Sequence, residues 1–467
     1  MMAEVGVFVV TYGSRGACIV DALKRSGHNV RLYIADKQKN PFNVERAEVH
    51  KVIPKLDVPS ITDFVGQYKE KIDFGFIGPE GPIVNGVRDE VEAETGIPVI
   101  CPTKEYAYEE SKVLQREMMA DCAPEANPRF KVFRPADYGS KEDVKKDLYG
   151  WLDELENQVA VKPDLPGYGK GVGVWGDHFK TREEVYEHFM SNFEGGTVLV
   201  EEKIAGEESS LQCFSDGKHL VPAPDVRDYK RAFDGDRGPN TGGMGSYKSY
   251  EDRLPFMSKS DRESEVKYAE KIFNKVRGKT ANPGLRGIPF YLAFMHGREG
   301  QKILEINSRL GDPEAMNIVP LIKDDFVDVC YNMIEGKLKK IDFEKKASVV
   351  TYKVPPSYGG YDKTYPSRVL RDEVGKPVEL ASAAGLVRDG RNFRLYPGSM
   401  ELRDGKAYAL GSRAVACVGF GADIEEARTM SLNGVNAIKG GGLWNRGDIA
   451  SEGHIRKSVG HLNALRG

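Results

Sequence analysis

Residues 225–247 read DVRDYKRAFDGDRGPNTGGMGSY. Charges of both signs alternate here with glycines and a proline, and the second half has too few apolar positions to bury a helix or strand face. We therefore predict a polar loop. Its part GPNTGGMG, residues 238–245, lacks the Ser, Glu and Lys content of a solvated linker, and its glycines let backbone N–H groups approach an anion. An arbitrary charged loop is more often a surface insert, but this composition favours a ligand site.

A second polar cluster, ILEINSRLGDPE, occupies residues 303–314. Strand alternation predicts a core-facing side of Leu304 and Ile306 and an opposite side of Ile303, Glu305 and Asn307. A carboxylate and an amide oxygen side by side are hard ligands that suit Mg²⁺ better than zinc. Arg309 follows on the same side, where its planar guanidinium can stabilise a phosphoryl group in transfer.

A third segment combines a strand lysine with a glycine-rich loop. In VAVK, residues 159–162, the valines share one face and Lys162 lies on the other. The following PDLPGYGKGVGVW is a common type of structural turn, but two ammonium groups and free amides would converge on triphosphate oxygens. We therefore assign phosphate binding to Lys162, Gly169, Lys170 and Gly171. It is not the P-loop motif, since no Ser or Thr follows Lys170.

The N-terminal residues indicate a βαβ unit. The apolar run 5–10, the turn TYGSRG, a helix ending near Gly27 and the strand NVRLYIAD predict a parallel sheet with a ligand at the carboxyl ends of its strands. The turn lacks the full dinucleotide fingerprint, and only Asp36 supports a nicotinamide. Its glycines and helix N-terminus would suit a phosphate equally well.

The remaining periodicities predict further elements. Helices are expected at 141–156, 258–278, 321–336 and 424–438, with the apolar residues of 258–278 in a core. Strands are expected at 289–297 and at several places after Lys345, including VELASAAGLV at 378–387. Glu202 and Glu207, on a strand edge, are interpreted as surface residues.

Composition bounds the class of protein. A chain of 467 residues predicts about three domains, and its net charge of -3 gives no basic excess for nucleic acid. No apolar run approaches the roughly 20 residues that span a bilayer, and the N-terminus has no basic region typical of a signal peptide. The six cysteines form no C-x-x-C pair, so reduced thiols and a cytoplasmic location are predicted.

The two polar clusters together resemble the phosphoribosylamine–glycine ligase family of the ATP-grasp enzymes. The segments that carry the match are Asp228–Arg231, Asp234–Asp236, Gly238–Gly245 and Glu305–Glu314. The closing GGGLWNRGDIAS, residues 440–451, is similar to the family's Tyr/Trp-x-Arg-Arg-Asp-Ile segment, with Gly447 in place of the second arginine. The resemblance covers essentially the whole chain and is strongest from 225 to 314.

The resemblance implies an α/β multidomain fold. The expected parts are an N-terminal parallel α/β substrate domain (1–102), an ATP-grasp catalytic domain (103–344) and a C-terminal mixed β domain (345–467). A glycine-rich lid is expected over about 120–204.

The resemblance also implies residue roles. Lys112 would reach the nucleotide phosphates, the hinge from Glu201 to Ile204 would seat adenine, and Glu208 would bind the ribose hydroxyls. The implied substrate residues are Gly13, Ser14, Arg15, Glu80, Asp228, Lys230, Asn240, Thr241, Gly242, Asp312, Pro313 and Glu314.

The implied reaction joins glycine to 5-phosphoribosylamine in purine biosynthesis, with ATP and Mg²⁺ (or Mn²⁺) as cofactors. Glycine carboxylate attacks the γ-phosphoryl group, and the amine then displaces phosphate from the acyl phosphate. No enzyme nucleophile is needed, in agreement with the lack of a Ser/His/Asp or Cys/His constellation. Lys162 and Arg309 would act by positioning and charge neutralisation. Small molecules are the expected partners, without nucleic acid or membrane.

The first turn departs from the family. The usual segment is Gly-Gly-Arg-Glu-His-Ala, whereas residues 13–18 read GSRGAC, and Tyr229 stands where histidine is usual. A divergent ligase of the same activity is favoured. The alternatives are an ATP-grasp paralogue that ligates a different amine to an amino acid or other carboxylate, and a non-catalytic scaffold. Retention of Lys162, Glu305 and Asn307 argues against the scaffold.

Overall fold

The computed structural model of the protein describes residues 4–164, 171–388 and 392–467. Its N-terminal part is a parallel sheet with strand order β3-β2-β1-β4-β5, flanked by helices. The elements are β1 (Glu4–Thr11), α1 (Gly13–Lys24), β2 (Asn29–Asp36), α2 (Pro41–Arg46), β3 (Val49–Val52), α3 (Val58–Gly66), β4 (Phe74–Ile77), α4 (Glu80–Val84), α5 (Val87–Thr95) and β5 (Val99–Ile100). β1 reads as an apolar run because both of its faces are buried, Val7 and Val9 in one core cluster and Phe8 and Val10 in another. The predicted βαβ opening is confirmed.

The middle of the chain contains two antiparallel sheets. One has the order β6-β9-β7-β8 and the other β11-β10-β16-β17. The elements of the first, with their helices, are α6 (Lys112–Cys122), β6 (Phe130–Phe133), α7 (Lys141–Glu154), β7 (Val159–Pro163), β8 (Gly173–Val174), α8 (Arg182–Phe193) and β9 (Val198–Glu202). The second includes β10 (Glu207–Asp216) and β11 (Leu220–Pro222), and later α9 (Lys259–Arg277), β16 (Arg286–Gly297), β17 (Gly300–Asn307), α10 (Ala315–Ile318) and α11 (Phe326–Ile334).

Between β11 and α9 the chain forms β12 (Arg227–Asp228), β13 (Arg231–Phe233), β14 (Arg237–Asn240) and β15 (Gly245–Lys248). The prediction of a loop over 225–247 is therefore wrong in part. β13 pairs with β14 as a hairpin, and β15 is buried in a sheet. Glycine here serves strand packing, because a Cβ on Gly245 would lie 2.3 Å from the carbonyl oxygen of Val350.

The C-terminal sheet is antiparallel, with order β12-β15-β18-β23-β20. Two of its strands, β12 and β15, come from the polar stretch that begins at Asp225. Its other elements are β18 (Ala347–Lys353), α12 (Tyr361–Thr364), β19 (Val378–Glu379), α13 (Ala381–Arg388), β20 (Phe393–Pro397), β21 (Met400–Arg403), β22 (Lys406–Ala409), β23 (Val415–Gly421), α14 (Ile424–Ala437), β24 (Lys439–Gly440) and α15 (Glu452–Arg466). The strand predicted at 378–387 is wrong, because only β19 is extended and the alanine-rich remainder forms α13.

Two further expectations fail for local reasons. A register shift where β17 pairs with β16 breaks strict alternation, so that Ile303 and Ile306 both enter one core cluster. Glu207 is not a surface residue, because it is 6% exposed and its carboxylate contacts Arg227 and lies 2.6 Å from Nδ1 of His461 in α15. Among the described helices, none is long and apolar enough to cross a membrane.

Candidate active site

The strand lysine of the predicted phosphate grip lies beside the predicted metal strand. Lys162 in β7 donates a hydrogen bond from Nζ to the carbonyl oxygen of Leu304 at 3.3 Å, and its ammonium also contacts the carboxylate of Glu201. Burial lowers the pKa of Lys162, and the nearby charges of Arg116 and Lys112 act in the same direction. A site that gathers so many cations favours an anionic ligand.

Lys112 is the first residue of α6, and the start of this helix is tied to the end of β7. The N-cap Ser111 donates to Asp164 at 2.9 Å, and the Val113 N–H donates to the same carboxylate at 2.8 Å. Of the glycine loop, Gly169 and Lys170 lie outside the described residues. Gly171 is described, with φ of 92° and its carbonyl oxygen 2.8 Å from Nε2 of His188.

The two predicted metal ligands lie side by side at the end of β17. Asn307 donates from Nδ2 to Oε1 of Glu305 at 3.4 Å. Burial raises the pKa of Glu305, but the combined charges of Lys230, Lys162, Lys112 and Arg309 outweigh it and lower that pKa. The carboxylate is thus held ionised, as a metal ligand must be.

The donor set at this position fits Mg²⁺. Opposite Glu305 and Asn307, the neighbouring strand β16 presents Ala293 and Tyr291, which add no carboxylate. One carboxylate and one amide oxygen are typical of Mg²⁺ sites that rely on substrate phosphates and water for the remaining ligands.

The predicted adenine hinge has its acidic side chain turned inward. Glu201 is 2% exposed and accepts a hydrogen bond from Nε of Arg116 at 2.5 Å. Ile204 is half-buried and packs near the β16–β17 turn, where a Cβ on Gly297 would lie 3.2 Å from it. The side chain of Glu201 is therefore engaged with Arg116 and Lys162, which leaves the backbone of the hinge as the part able to contact a base.

Glu208, predicted to bind ribose, lies across from Lys230 and contacts its ammonium. Burial lowers the pKa of Lys230, but the charges of Glu208 and Asp228 raise it by more than burial lowers it, so the pKa is raised overall. Burial raises the pKa of Asp228 well above its usual range, and the carboxylate of Glu314 adds to the effect. Glu314 in turn accepts a hydrogen bond from the hydroxyl of Tyr291 at 2.5 Å.

Arg15 and Glu80 of the parallel-sheet part meet Arg309 after β17. The Oε2 atom of Glu80 lies 3.1 Å from NH2 of Arg15 and 3.3 Å from Nε of Arg309. Burial raises the pKa of Glu80, yet the two guanidinium groups outweigh it and lower the pKa to about 2. Arg309 also pairs with Glu109 at 3.0 Å and lies 3.5 Å from Oδ1 of Asn307, which places it beside the metal ligands.

Three parts of the chain meet at Asp312. Its Oδ1 accepts a hydrogen bond from the Tyr352 hydroxyl at 2.5 Å and lies 3.2 Å from NH1 of Arg413. A Cβ on Gly13, at the start of α1, would lie 3.1 Å from Oδ2 of the same carboxylate. The neighbouring Ser14 donates to the carbonyl oxygen of Tyr396 at 2.8 Å. The first turn thus packs against both the loop that follows β17 and the C-terminal sheet.

The other predicted substrate residues surround this junction, with one exception. Thr241 donates to the Lys230 carbonyl at 2.8 Å, and the carbonyl of Gly242 accepts from Arg413. Pro313 is buried, and a Cβ on Gly243 would lie 2.7 Å from its Cδ. Asn240 is exposed at the end of the β13–β14 hairpin.

Several site residues were missed by sequence reasoning. They are Glu109, Arg116, Tyr291, Tyr352 and Arg413. None lies in a segment with a ligand-binding pattern, and each reaches the site only through tertiary contacts. The position of Glu109 just before Ser111 and Lys112 was the one available signal.

The departure in the first turn has a packing counterpart. A Cβ on Gly16 would lie 1.5 Å from Oγ1 of Thr11, so this backbone excludes a side chain at that position. Ala17 and Cys18 are both fully buried in the core. The small residues at 16–18 are therefore packing residues.

Comparison with known proteins shows which family this chain resembles along its length. Residues 128–315 match the family described as Phosphoribosylglycinamide synthetase, ATP-grasp (A) domain, and residues 5–110 match its N domain. The chain is 37% identical over 464 residues to the phosphoribosylamine–glycine ligase of Methanocella arvoryzae, covering 99% of this chain and 100% of that protein. It is 35% identical to the Thermococcus kodakarensis protein of the same name, with 99% of each covered.

Solved structures share the fold. The crystal structure of phosphoribosylamine–glycine ligase from Thermotoga maritima superposes with a TM-score of 0.70 and 26% identity, covering 95% of this chain and 100% of that one. The biotin carboxylase domain of a Hydrogenobacter thermophilus 2-oxoglutarate carboxylase, determined with ADP and magnesium, gives a TM-score of 0.66 at 14% identity. It covers 98% of this chain and 93% of that one.

Proposed function

This chain belongs to the phosphoribosylglycinamide synthetase family, and we propose that it joins glycine to 5-phosphoribosylamine to give glycinamide ribonucleotide, ADP and phosphate. It is an ATP-dependent carbon–nitrogen ligase of purine biosynthesis. The observation that carries the proposal is the gathering of cations at the end of β17, where Nζ of Lys162 lies 3.3 Å from the Leu304 carbonyl oxygen and Arg309 lies 3.5 Å from Oδ1 of Asn307. The charges of these two residues, with those of Lys112 and Lys230, lower the pKa of Glu305. Such a cluster suits a triphosphate together with a divalent metal.

In the first half-reaction, a carboxylate oxygen of glycine attacks the γ-phosphorus of ATP, and the bond to the bridging oxygen breaks with release of ADP. Lys112 and Lys162 would neutralise the phosphate oxygens. Arg309 would stabilise the transferring phosphoryl group from its place beside Asn307. Its pairs with Glu80 and Glu109 hold the guanidinium in that orientation.

Glu305 and Asn307 would hold the metal. A magnesium ion held by these two residues would supply charge neutralisation to the phosphate oxygens. The lowered pKa of Glu305 supports this role, because the ligand stays deprotonated without the metal. ATP and Mg²⁺ use is implied by the family, and the identity of the two ligands is our proposal.

In the second half-reaction, the amine nitrogen of phosphoribosylamine attacks the acyl carbon, the bond to phosphate breaks, and the nitrogen loses a proton as the amide forms. The acceptor-rich junction of Asp228, Asp312 and Glu314 would orient this amine and its hydroxyls. Arg15, near the start of α1, donates a hydrogen bond at 2.8 Å to the carbonyl oxygen of Leu310, two residues before Asp312. Positioning of this kind supplies much of the rate enhancement in such transfers.

A ligase for a different amine is the second candidate, because of the first turn. Gly16 cannot carry the acidic side chain usual in the family while Thr11 occupies that space. If the family's acidic residue and histidine are required for phosphoribosylamine, this chain would accept another amine. High identity over the full length of ligase relatives favours the first candidate.

The deciding experiment measures the product by mass. The protein is incubated with Mg²⁺·ATP, glycine and phosphoribosylamine formed in the same vessel from ribose 5-phosphate and ammonia. We expect glycinamide ribonucleotide together with equal amounts of ADP and phosphate, and no ADP release when glycine is omitted. Product only with a different amine would support the second candidate. Failure to bind Mg²⁺·ATP at all would exclude both.

Small molecules are the partners proposed here, and a lack of nucleic-acid binding stays a prediction from the net charge. All six cysteines are free thiols. The reducing compartment and the cytoplasmic location stay predictions from the sequence.

A further inference from the structure

The strand that carries the proposed metal ligands is completed by side chains instead of by another strand. β17 is the last strand of its sheet, so the backbone groups of its outer edge need other partners. Gln115 in α6 donates from Nε2 to the Ile306 carbonyl at 3.0 Å and accepts from the Ile306 N–H at 2.8 Å. Arg116 donates from NH1 to the Ile303 carbonyl at 2.8 Å and from NH2 to the Leu304 carbonyl at 2.7 Å.

The third guanidinium nitrogen of Arg116 binds a different sheet. Its Nε donates to Oε2 of Glu201 in β9 at 2.5 Å, and both side chains are 2% exposed. Lys162 makes the same two connections, to Glu201 and to the Leu304 carbonyl. The sheet that contains β9 and the sheet that contains β17 are therefore joined through charged groups at one buried point.

Such a buried ion pair is weak evidence for stability, because desolvating two charges costs about as much as their attraction returns. It is better suited to fixing one arrangement of the elements it joins. Arg116 lies one helical turn after Lys112, and the strand that it binds continues directly into Glu305 and Asn307.

We propose that Arg116, assisted by Gln115, is a positioning residue that fixes Glu305 and Asn307 relative to Lys112 and the β9 hinge. It touches neither substrate nor metal in this role. It sets the distance between the metal-bearing strand and the phosphate-binding lysines, so its loss weakens the metal-dependent part of nucleotide binding. The planar fork of arginine is required, because a lysine offers one ammonium centre to three acceptors in different directions.

The test compares the full-length protein with Arg116→Met, Arg116→Lys and the control Arg134→Met. Arg134 is matched to the same helix, because its half-exposed guanidinium pairs with Glu117 of α6 at 3.0 Å. Calorimetry gives the Kd of a non-hydrolysable ATP analogue with Mg²⁺ and with EDTA. Circular dichroism and thermal unfolding report folding, and steady-state kinetics give kcat and KM.

For Arg116→Met we expect the ratio of the analogue's Kd in EDTA to its Kd in Mg²⁺ to fall at least tenfold. The Kd in EDTA itself should change less than threefold. kcat should fall at least tenfold, and the KM for glycine should change less than threefold. Arg116→Lys should show the same loss in smaller degree, and Arg134→Met should match the wild type. A folded Arg116→Met with wild-type Mg²⁺ dependence overturns the proposal. If Arg116→Met does not fold, Arg116→Lys decides, and wild-type Mg²⁺ dependence there overturns it as well.

The inference rests on the proposed function only for its turnover measurement. If the wild type forms no glycinamide ribonucleotide but Arg116→Met loses Mg²⁺-dependent analogue binding, the ligase assignment fails and the positioning role stands. If the wild type is active and the variants behave like it in both measurements, the positioning role fails alone.

Discussion

Glu80 and Arg309 form an ion pair, with Oε2 of Glu80 3.3 Å from Nε of Arg309. The pair joins the parallel-sheet part of the chain to the loop that follows β17. The same oxygen lies 3.1 Å from NH2 of Arg15. One carboxylate thus sits between two guanidinium groups and links the first turn to the loop after β17. Its charge state controls how both arginines are held.

We expect Glu80→Gln to lower stability at neutral pH and to remove part of its pH dependence. The pKa of Glu80 is lowered to about 2 in the folded chain, so the carboxylate contributes stability that is fully present above about pH 4.5 and is lost as the pH falls toward 2. Near pH 7 the part of the loss that depends on the carboxylate charge is about 3 kcal/mol. Urea unfolding of both proteins between pH 3 and 8 measures it.

Glu45→Gln is the matched control for that series, because the Glu45 side chain is 75% exposed and pairs with Arg46 at 2.7 Å on the surface. The difference in free energy of unfolding between wild type and Glu80→Gln should be constant from pH 8 to 5 and should become smaller below pH 4.5. A gap of equal size at pH 3 would show that the carboxylate charge is not its source.

We expect Glu305→Gln to lower amide formation by at least about a hundredfold, equivalent to about 3 kcal/mol of transition-state stabilisation. The substitution keeps the shape of the side chain but removes the negative charge of a carboxylate that four nearby cations hold in its ionised form. Product formation by mass at saturating Mg²⁺ measures it, with the exposed Glu299→Gln as control. Unchanged turnover in a folded variant would contradict the metal assignment.

We expect Tyr352→Phe to raise the KM for phosphoribosylamine by about tenfold, because Asp312 loses the hydrogen bond that orients its carboxylate. A hydrogen bond to a charged group is typically worth this much. The Tyr352 hydroxyl donates to Asp312 at 2.5 Å, and this carboxylate borders the proposed amine site. The KM for ATP should change less than twofold. Equal changes in both constants would indicate a general loss of structure instead of a defect at the amine site.

We expect Arg446→Met to destabilise the chain by about 2 to 3 kcal/mol, because it removes the fully buried guanidinium that pairs with two carboxylates. Arg446 lies 3.1 Å from Asp236 and 2.7 Å from Asp448 and joins the β13–β14 hairpin to the C-terminal segment. Thermal unfolding measures the loss. Arg456→Met, which removes an exposed pair within α15, should leave the midpoint unchanged.

Much of the architecture follows from local patterns. The apolar run of β1, the amphipathic α9 and the β16–β17 pair are where periodicity predicts them, and the family assignment is confirmed by the full-length relatives. The errors arise where tertiary contacts override composition. β15 reads as a glycine loop, yet its glycine allows close packing against β18. The boundaries proposed for the three domains remain predictions.

The site was predictable where its residues share one strand or one motif. Lys162, Glu305 and Asn307 do come together, since Lys162 binds the carbonyl next to Glu305. Their chemical roles remain predictions. Tyr352 lies in β18 and Arg413 lies just before β23, both more than three hundred residues after the first turn. Neither segment carries a ligand-binding pattern, so a single sequence holds no sign that they meet Asp312.

The contact between Gly16 and Thr11 restricts how this chain can change over generations. An acidic side chain at position 16 would overlap the side chain of Thr11, so it is compatible only with a smaller residue at position 11. Either order of substitution passes through a less stable intermediate: a cavity if position 11 changes first, a clash if position 16 does. The residues at positions 11 and 16 are therefore expected to vary together among relatives of this chain.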